Sequence, residues 1–170
     1  MLLALALLGA NDNGNGQGLI QSGGRWDQVN AGLGMSTRGL PVFIGVEQTV
    51  DDHISAALIG TFQSYRENSS AGTWNHQFYA VGLQGNYHFI ELAPTPYDFF
   101  AGLTVSWSAH RFRWAGATAA PNSYDGSAIG GTGLSAQIGG RYTYRSTTFL
   151  VQLDGGTLNS GFLVGLSFPL

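Results

Sequence analysis

Three charged residues, Glu47, Arg141 and Asp154, stand almost alone on faces otherwise made of Gly, Ser, Thr, Gln and Asn. Unpaired charges among such neighbours would be costly to bury, and an arginine, fixed in its charge, can bridge two carboxylates. The three therefore read as an interior ion-pair cluster; the alternative is a selectivity constriction in a conducting pore. A second set, Arg111-Phe112-Arg113-Trp114 with Tyr124, combines guanidinium and aromatic groups in the longest connection of the chain. Arg and Trp are over-represented where partners or anionic head groups bind, so Arg111, Arg113, Trp114 and Tyr124 are the binding candidates. Four histidines, at 53, 76, 88 and 110, are too scattered for a metal motif. His53 and Ser55 place a base and a hydroxyl on one face, but nucleophilic catalysis also needs an orienting third group. Gly130-Gly131-Thr132-Gly133 opens a strand and lacks the helix of a phosphate loop.

The elements that must position these residues all have period two. Apolar faces recur at Val29–Met35, Val42–Val50, Ile54–Phe62, Tyr79–Phe89, Phe99–Trp107, Leu134–Tyr144, Phe149–Leu153 and Phe162–Leu170, which predicts eight strands. Ile59 and Leu150 break the alternation. Only 10% of the 170 residues are charged, all seven basic ones are Arg, and there is no Cys. A soluble enzyme would need a far more charged surface, and an acidic balance of −3 without a basic patch argues against nucleic acid. The absence of Cys removes disulfides and thiolate chemistry.

Small polar residues suit a crowded interior, whereas the large apolar residues opposite suit lipid. In hydrocarbon every backbone polar group must be paired internally, so strands span only as a closed barrel. The chain is thus expected to be all-β, a single eight-stranded antiparallel up-and-down transmembrane β-barrel over residues 26–170. Residues 1–10 read as a truncated signal-peptide segment without its basic region, and 11–25 as a flexible Asn/Gly-rich tether. Connections near Asp51–His53, Glu91–Tyr97 and Arg145–Thr147 are short. Those near Glu67–Thr73 and Arg111–Ser127 are the longest on the other side. Short periplasmic turns with longer external loops are the outer-membrane arrangement, with both termini periplasmic. Aromatics gather at two levels: Tyr87, Phe89, Tyr97, Phe99, Tyr142, Tyr144, Phe149 and Phe168 at the inner end, and Trp74, Trp107 and Trp114 toward the outer end.

Tyr65-Arg66-Glu67, Gly85-Asn86-Tyr87-His88-Phe89, Phe99-Phe100-Ala101-Gly102-Leu103 and Gly139-Gly140-Arg141-Tyr142 resemble segments of the small eight-stranded outer-membrane barrel proteins of Gram-negative bacteria, the outer membrane protein A/X-like barrels. The C-terminal run Gly165-Leu166-Ser167-Phe168-Pro169-Leu170 resembles their terminal assembly signal, with Gly165, Phe168 and Leu170 at its spaced positions. This resemblance implies the outer membrane, contact with its lipid and lipopolysaccharide, and delivery by the barrel-assembly machinery. It specifies no activity, because such barrels host many. His53-Ile54-Ser55 resembles the His-x-Ser of outer-membrane lipid A deacylases, yet the topology puts it at the periplasmic turns, away from outer-leaflet lipid. The expectation is a non-enzymatic structural or accessory barrel without metal or cofactor. Its outer loops and wall would meet lipopolysaccharide, partner proteins or a larger outer-membrane complex. A narrow small-solute or ion channel is the first alternative and a lipid-modifying enzyme the second.

Overall fold

The computed structural model describes residues 26–36, 39–69, 72–92, 95–115, 130–157 and 160–170. Eight strands follow in order: β1 (Gln28–Ser36), β2 (Val42–Thr49), β3 (Ile54–Ser69), β4 (Gly72–His88), β5 (Tyr97–Ala115), β6 (Gly130–Tyr144), β7 (Thr147–Gly156) and β8 (Gly161–Pro169). Each pairs antiparallel with the next, and β1 pairs with β8 from Gln28↔Pro169 to Ser36↔Gly161. The sheet is therefore closed around the barrel wall, as the eight alternating segments predict.

The two faces of the wall differ as the alternation requires. Leu103 is 58% exposed on the outside while its neighbour Thr104 is 8% exposed within. Leu33, Ile44, Leu83, Ile138, Val151 and Val164 share the outer face; Asn30, Gln84, Asn86, Gln137, Gln152 and Ser167 share the lumen. The usual order of a water-soluble barrel, apolar inside and polar outside, is inverted. The exceptions in the sequence pattern have a place here. Leu150 joins Phe43, Phe100 and Leu163 in an apolar cluster inside the lumen, with Ile59 packed against it. Phe100 fits because β6 has no side chain opposite it: a Cβ on Gly139 would lie 2.3 Å from the Phe100 ring.

Strand length divides the barrel into two parts. β1, β2, β7 and β8 have 8–10 residues, whereas β3, β4 and β5 have 16, 17 and 19. Nine to eleven tilted residues cross a hydrocarbon layer, so the longer strands overshoot it. β2 ends its pairing at Val42↔Phe62, and beyond that point β3, β4 and β5 continue as a three-stranded flap. This revises two expected loops. Glu67–Thr73 is not a long loop, since Ser69 still pairs with Gly72; Arg111–Trp114 belongs to β5, where Trp114 pairs with Trp74. The alternation simply runs on past the wall, where polar residues replace apolar ones on the outward face.

The opposite end carries the short connections 50–53, 89–96 and 145–146. Both ends of the described chain lie there, with Leu170 N–H donating to the Asp27 carbonyl at 2.9 Å. At this end the outer wall exposes Tyr87, Tyr97, Phe99, Tyr142, Tyr144, Phe149 and Phe168, and toward the flap it exposes Phe62, Tyr79, Trp107 and Phe162. Trp74 does not belong to the second girdle. It points inward, 7% exposed, with its ring 4.7 Å from that of Trp114.

Candidate functional site

Near the short-turn end, the lumen is crossed by a closed ring of polar side chains from five consecutive strands. Arg141 of β6 donates to Glu47 of β2 at 2.5 Å and to Asp98 of β5 at 3.5 Å. Asp98 meets His88 Nδ1 of β4 at 2.9 Å, and His88 Nε2 meets Ser55 Oγ of β3 at 2.9 Å. Ser55 closes the ring by donating to Glu47 Oε1 at 2.6 Å. Asn30 extends it to β1 by donating to Glu47 Oε2 at 2.9 Å, and Ser167 of β8 donates to Asn30 at 2.5 Å. Glu47 is 1% exposed and Ser55 2%. Arg141 lies between the carboxylates of Glu47 and Asp98, and such pairing is the condition under which ions are tolerated away from water. The guanidinium of Arg141 also lies 5.0 Å from the centre of the Phe100 ring, so the apolar cluster packs against the ring.

Of the three interior charges expected to meet, Glu47 and Arg141 do, and Asp154 does not. The register explains the miss. Arg141 faces Leu150 on β7, and Asp154 faces Gln137, four residues, or about 13 Å, further along. Asp154 instead accepts from Gln152 Nε2 at 2.8 Å and borders a lumen cavity of about 110 Å³ with Gln63, Thr104, Ser106 and Ser108. Its place beside Arg141 is taken by Asp98. The signal for Asp98 was present: it shares the inward parity of Gly102 and Thr104 and pairs directly across from Arg141.

Asp98, His88 and Ser55 form an acid–histidine–hydroxyl chain at hydrogen-bond distances, the geometry of a hydrolase triad. Its bonding differs from a working one. The Ser55 hydroxyl donates to Glu47 Oε1, so its proton is turned away from His88 Nε2. Ser55 is also buried. His53, by contrast, lies in the turn before β3, 2.9 Å from Glu91 Oε1. That hydrogen bond raises the His53 pKa above its ordinary value and lowers that of Glu91. His53 and Ser55 point to different partners and do not form a pair.

The binding candidates at the other end separate onto two faces of the flap. Arg111 and Arg113 face outward, in cross-strand rows with Gln77 and with Asn75 and Arg66. Trp114 lies on the inward face, in line with His110 and Phe112, whose rings are 4.0 Å apart. His76 stacks on Tyr65 at 4.4 Å and meets His110 at 3.2 Å on that same face. Tyr124 lies outside the described residues, as do residues 1–25 with the expected signal and tether segments. Of the C-terminal run, Gly165 lies on the lumen side, where its missing Cβ leaves room for the Phe43 ring. Phe168 and Leu170 are exposed on the outer wall.

No protein-family model matches the chain, and no curated protein matches it in sequence. Solved structures do. The N-terminal β-barrel domain of Pseudomonas aeruginosa OprF is similar with a TM-score of 0.54 at 12% identity, over 83% of this chain and 93% of that domain. Neisserial surface protein A is similar with a TM-score of 0.56 at 14% identity, over 85% of this chain and 94% of that one. The fold is that of the small eight-stranded outer-membrane barrels. At these identities the likeness extends to architecture alone.

Proposed function

We propose that the protein is an integral outer-membrane barrel with a structural or accessory role. Both termini face the periplasm, and the wall and flap meet outer-membrane lipid, lipopolysaccharide or partner proteins. The observation that carries this reading is the inverted wall: large apolar side chains stand exposed around the outside between two aromatic levels, while the charges are ringed within. Such a surface is stable in hydrocarbon and aggregates in water. The short connections of one end match periplasmic turns, which supports an external flap. Gly165, Phe168 and Leu170 fit a terminal signal read by the barrel-assembly machinery. The minimal connections at 37–41 and 157–160 would let the barrel sit flush beside a larger outer-membrane complex.

The polar ring favours a closed barrel over a channel. Eight strands enclose room for side chains and little more, and here Glu47, Arg141, Phe43, Phe100 and Leu150 occupy it. The cavity beside Asp154 favours the narrow-channel reading, since Gln63, Ser106 and Ser108 give it polar walls, but toward Glu47 and Arg141 it gives way, past Ile59, Gln84 and Gln152, to a pocket of only about 10 Å³. The engaged proton and burial of Ser55 support a non-enzymatic role. Planar bilayer recordings test the reading: the folded protein is expected to give no steady unitary conductance. Reproducible currents whose ion selectivity reverses in Arg141→Glu would replace it with the channel.

A further inference from the structure

The chain has seven arginines and no lysine, and five of the arginines lie among the described residues. One, Arg141, is inside the barrel, and Arg145 sits in the turn after β6. The other three, Arg66, Arg111 and Arg113, all fall on the outward face of the flap. Arg66, Asn75 and Arg113 form one cross-strand row, and Ser64, Gln77 and Arg111 form the next. Ser64, Tyr65, Arg66, Asn75, Gln77 and Arg113 border an open groove. Arg111 and Arg113 are two residues apart on one strand, about 7 Å, and Arg66 lies two strand spacings away, roughly 10 Å. Among the described residues no carboxylate pairs with any of the three; the nearest acid along the chain, Glu67, belongs to the inward face, 3.3 Å from His76. Three like charges on one face, interleaved with amide and hydroxyl groups, repel one another until an anion joins them.

Their height selects the anion. On their strands, Arg66 and Arg111 each stand four residues beyond Phe62 and Trp107 of the outer aromatic level. That is about 13 Å of strand, or roughly 10 Å along the axis of a barrel with strands tilted by ~40°. The headgroup layer adds roughly 5–8 Å to each side of the hydrocarbon, and arginine side chains can reach back toward it. Directly below, on the same strands, Phe62, Tyr79, Val81 and Trp107 present an apolar wall for acyl chains. Tyr79 links the two zones by donating to Gln77 at 3.2 Å.

We propose that Arg66, Arg111 and Arg113, with Asn75 and Gln77, form a binding site on the outward face of the flap for the phosphate groups of an outer-leaflet lipid headgroup. The site rests on the membrane-barrel reading and names the ligand class of its outer end. The experiment uses the folded full chain in detergent with diphosphoryl lipid A as probe, followed by native mass spectrometry or fluorescence titration. Monophosphoryl lipid A, phosphatidylcholine and inorganic phosphate serve as comparators. Each Arg→Gln substitution is expected to weaken diphosphoryl lipid A binding roughly fivefold, and the triple variant on the order of a hundredfold. Arg145→Gln should leave it unchanged. Wild-type affinity should fall as salt rises, a readout independent of how the variants fold. Equal binding by wild type and a folded triple variant would overturn the site. So would salt-independent binding, or inorganic phosphate competing as well as the lipid. Loss of heat-modifiable gel mobility in the wild type would instead count against the barrel reading itself.

Discussion

Glu47 and Arg141 face one another across the lumen from β2 and β6, and neither has water to fall back on. Removing the arginine strands Glu47 in a low-dielectric interior, and removing the Glu47 charge leaves Arg141 only the longer contact with Asp98; breaking a buried pair costs about 3–5 kcal/mol. Glu47→Gln and Arg141→Gln are each expected to lower the thermal midpoint of the heat-modifiable gel transition markedly. The double variant should lose less than the sum, because the ring couples them. Additive losses would show the two charges acting separately. The turn pair His53–Glu91 behaves differently because it is exposed. His53 has its folded pKa raised above 6.5, so its contribution is complete below 6.5 and lost as pH rises through the folded value. Glu91 has its folded pKa lowered below 4.5, so its contribution is complete above 4.5 and lost as pH falls through the folded value. The pair is therefore fully formed between about pH 4.5 and 6.5. An NMR titration of the His53 ring should give a pKa above 6.5 that returns toward the ordinary value in Glu91→Gln. At this scale the sequence showed Glu47 and Arg141 through their isolation among small polar residues. It passed over Asp98, which stands between the Glu91–Tyr97 turn and the apolar face that begins at Phe99, although its parity is inward. It misplaced Asp154 because parity gives the face of a residue but not its height.

Strands were legible wherever one face meets lipid and the other the lumen, since this contrast is what alternation records. The turns at 50–53, 89–96 and 145–146 followed directly. The flap did not, because above the wall β3, β4 and β5 exchange apolar outward residues for Ser64, Arg66, Asn75, Gln77 and Arg111, and the contrast disappears. Packing inside the barrel was similarly veiled: Phe43, Phe100 and Leu150 are inward residues that a two-class pattern treats as errors. Gly139 is the counterpart of Phe100, and its role is steric. Gly139→Val is expected to destabilise the folded barrel by about 1–3 kcal/mol through overpacking, measured by urea unfolding in detergent. Combining it with Phe100→Leu should recover part of the loss. A neutral Gly139→Val would show that the lumen has slack at this level.

The whole molecule is polarised along its axis. Asp27, Asp51, Asp52 and Glu91 lie at the end with the short turns, and three arginines lie on the flap at the other. Between them stands a band of exposed apolar side chains bounded by two aromatic levels, with Leu103 midway between Phe99 and Trp107 on β5. A location in the outer membrane requires that band to face hydrocarbon. The absence of cysteine makes a direct measurement clean, because every introduced thiol is unique. Single cysteines at Leu103, Thr104, Val105 and Ser106 would carry nitroxide labels in protein reconstituted into lipid vesicles, and collision rates would be read with oxygen and with a water-soluble nickel complex. Labels at Leu103 and Val105 are expected to be reached by oxygen and shielded from nickel, while those at Thr104 and Ser106 are restricted toward oxygen. Nickel reaching Leu103 and Val105 as freely as it reaches a label in the 50–53 turn would mean that the wall faces water, and the membrane barrel would be wrong.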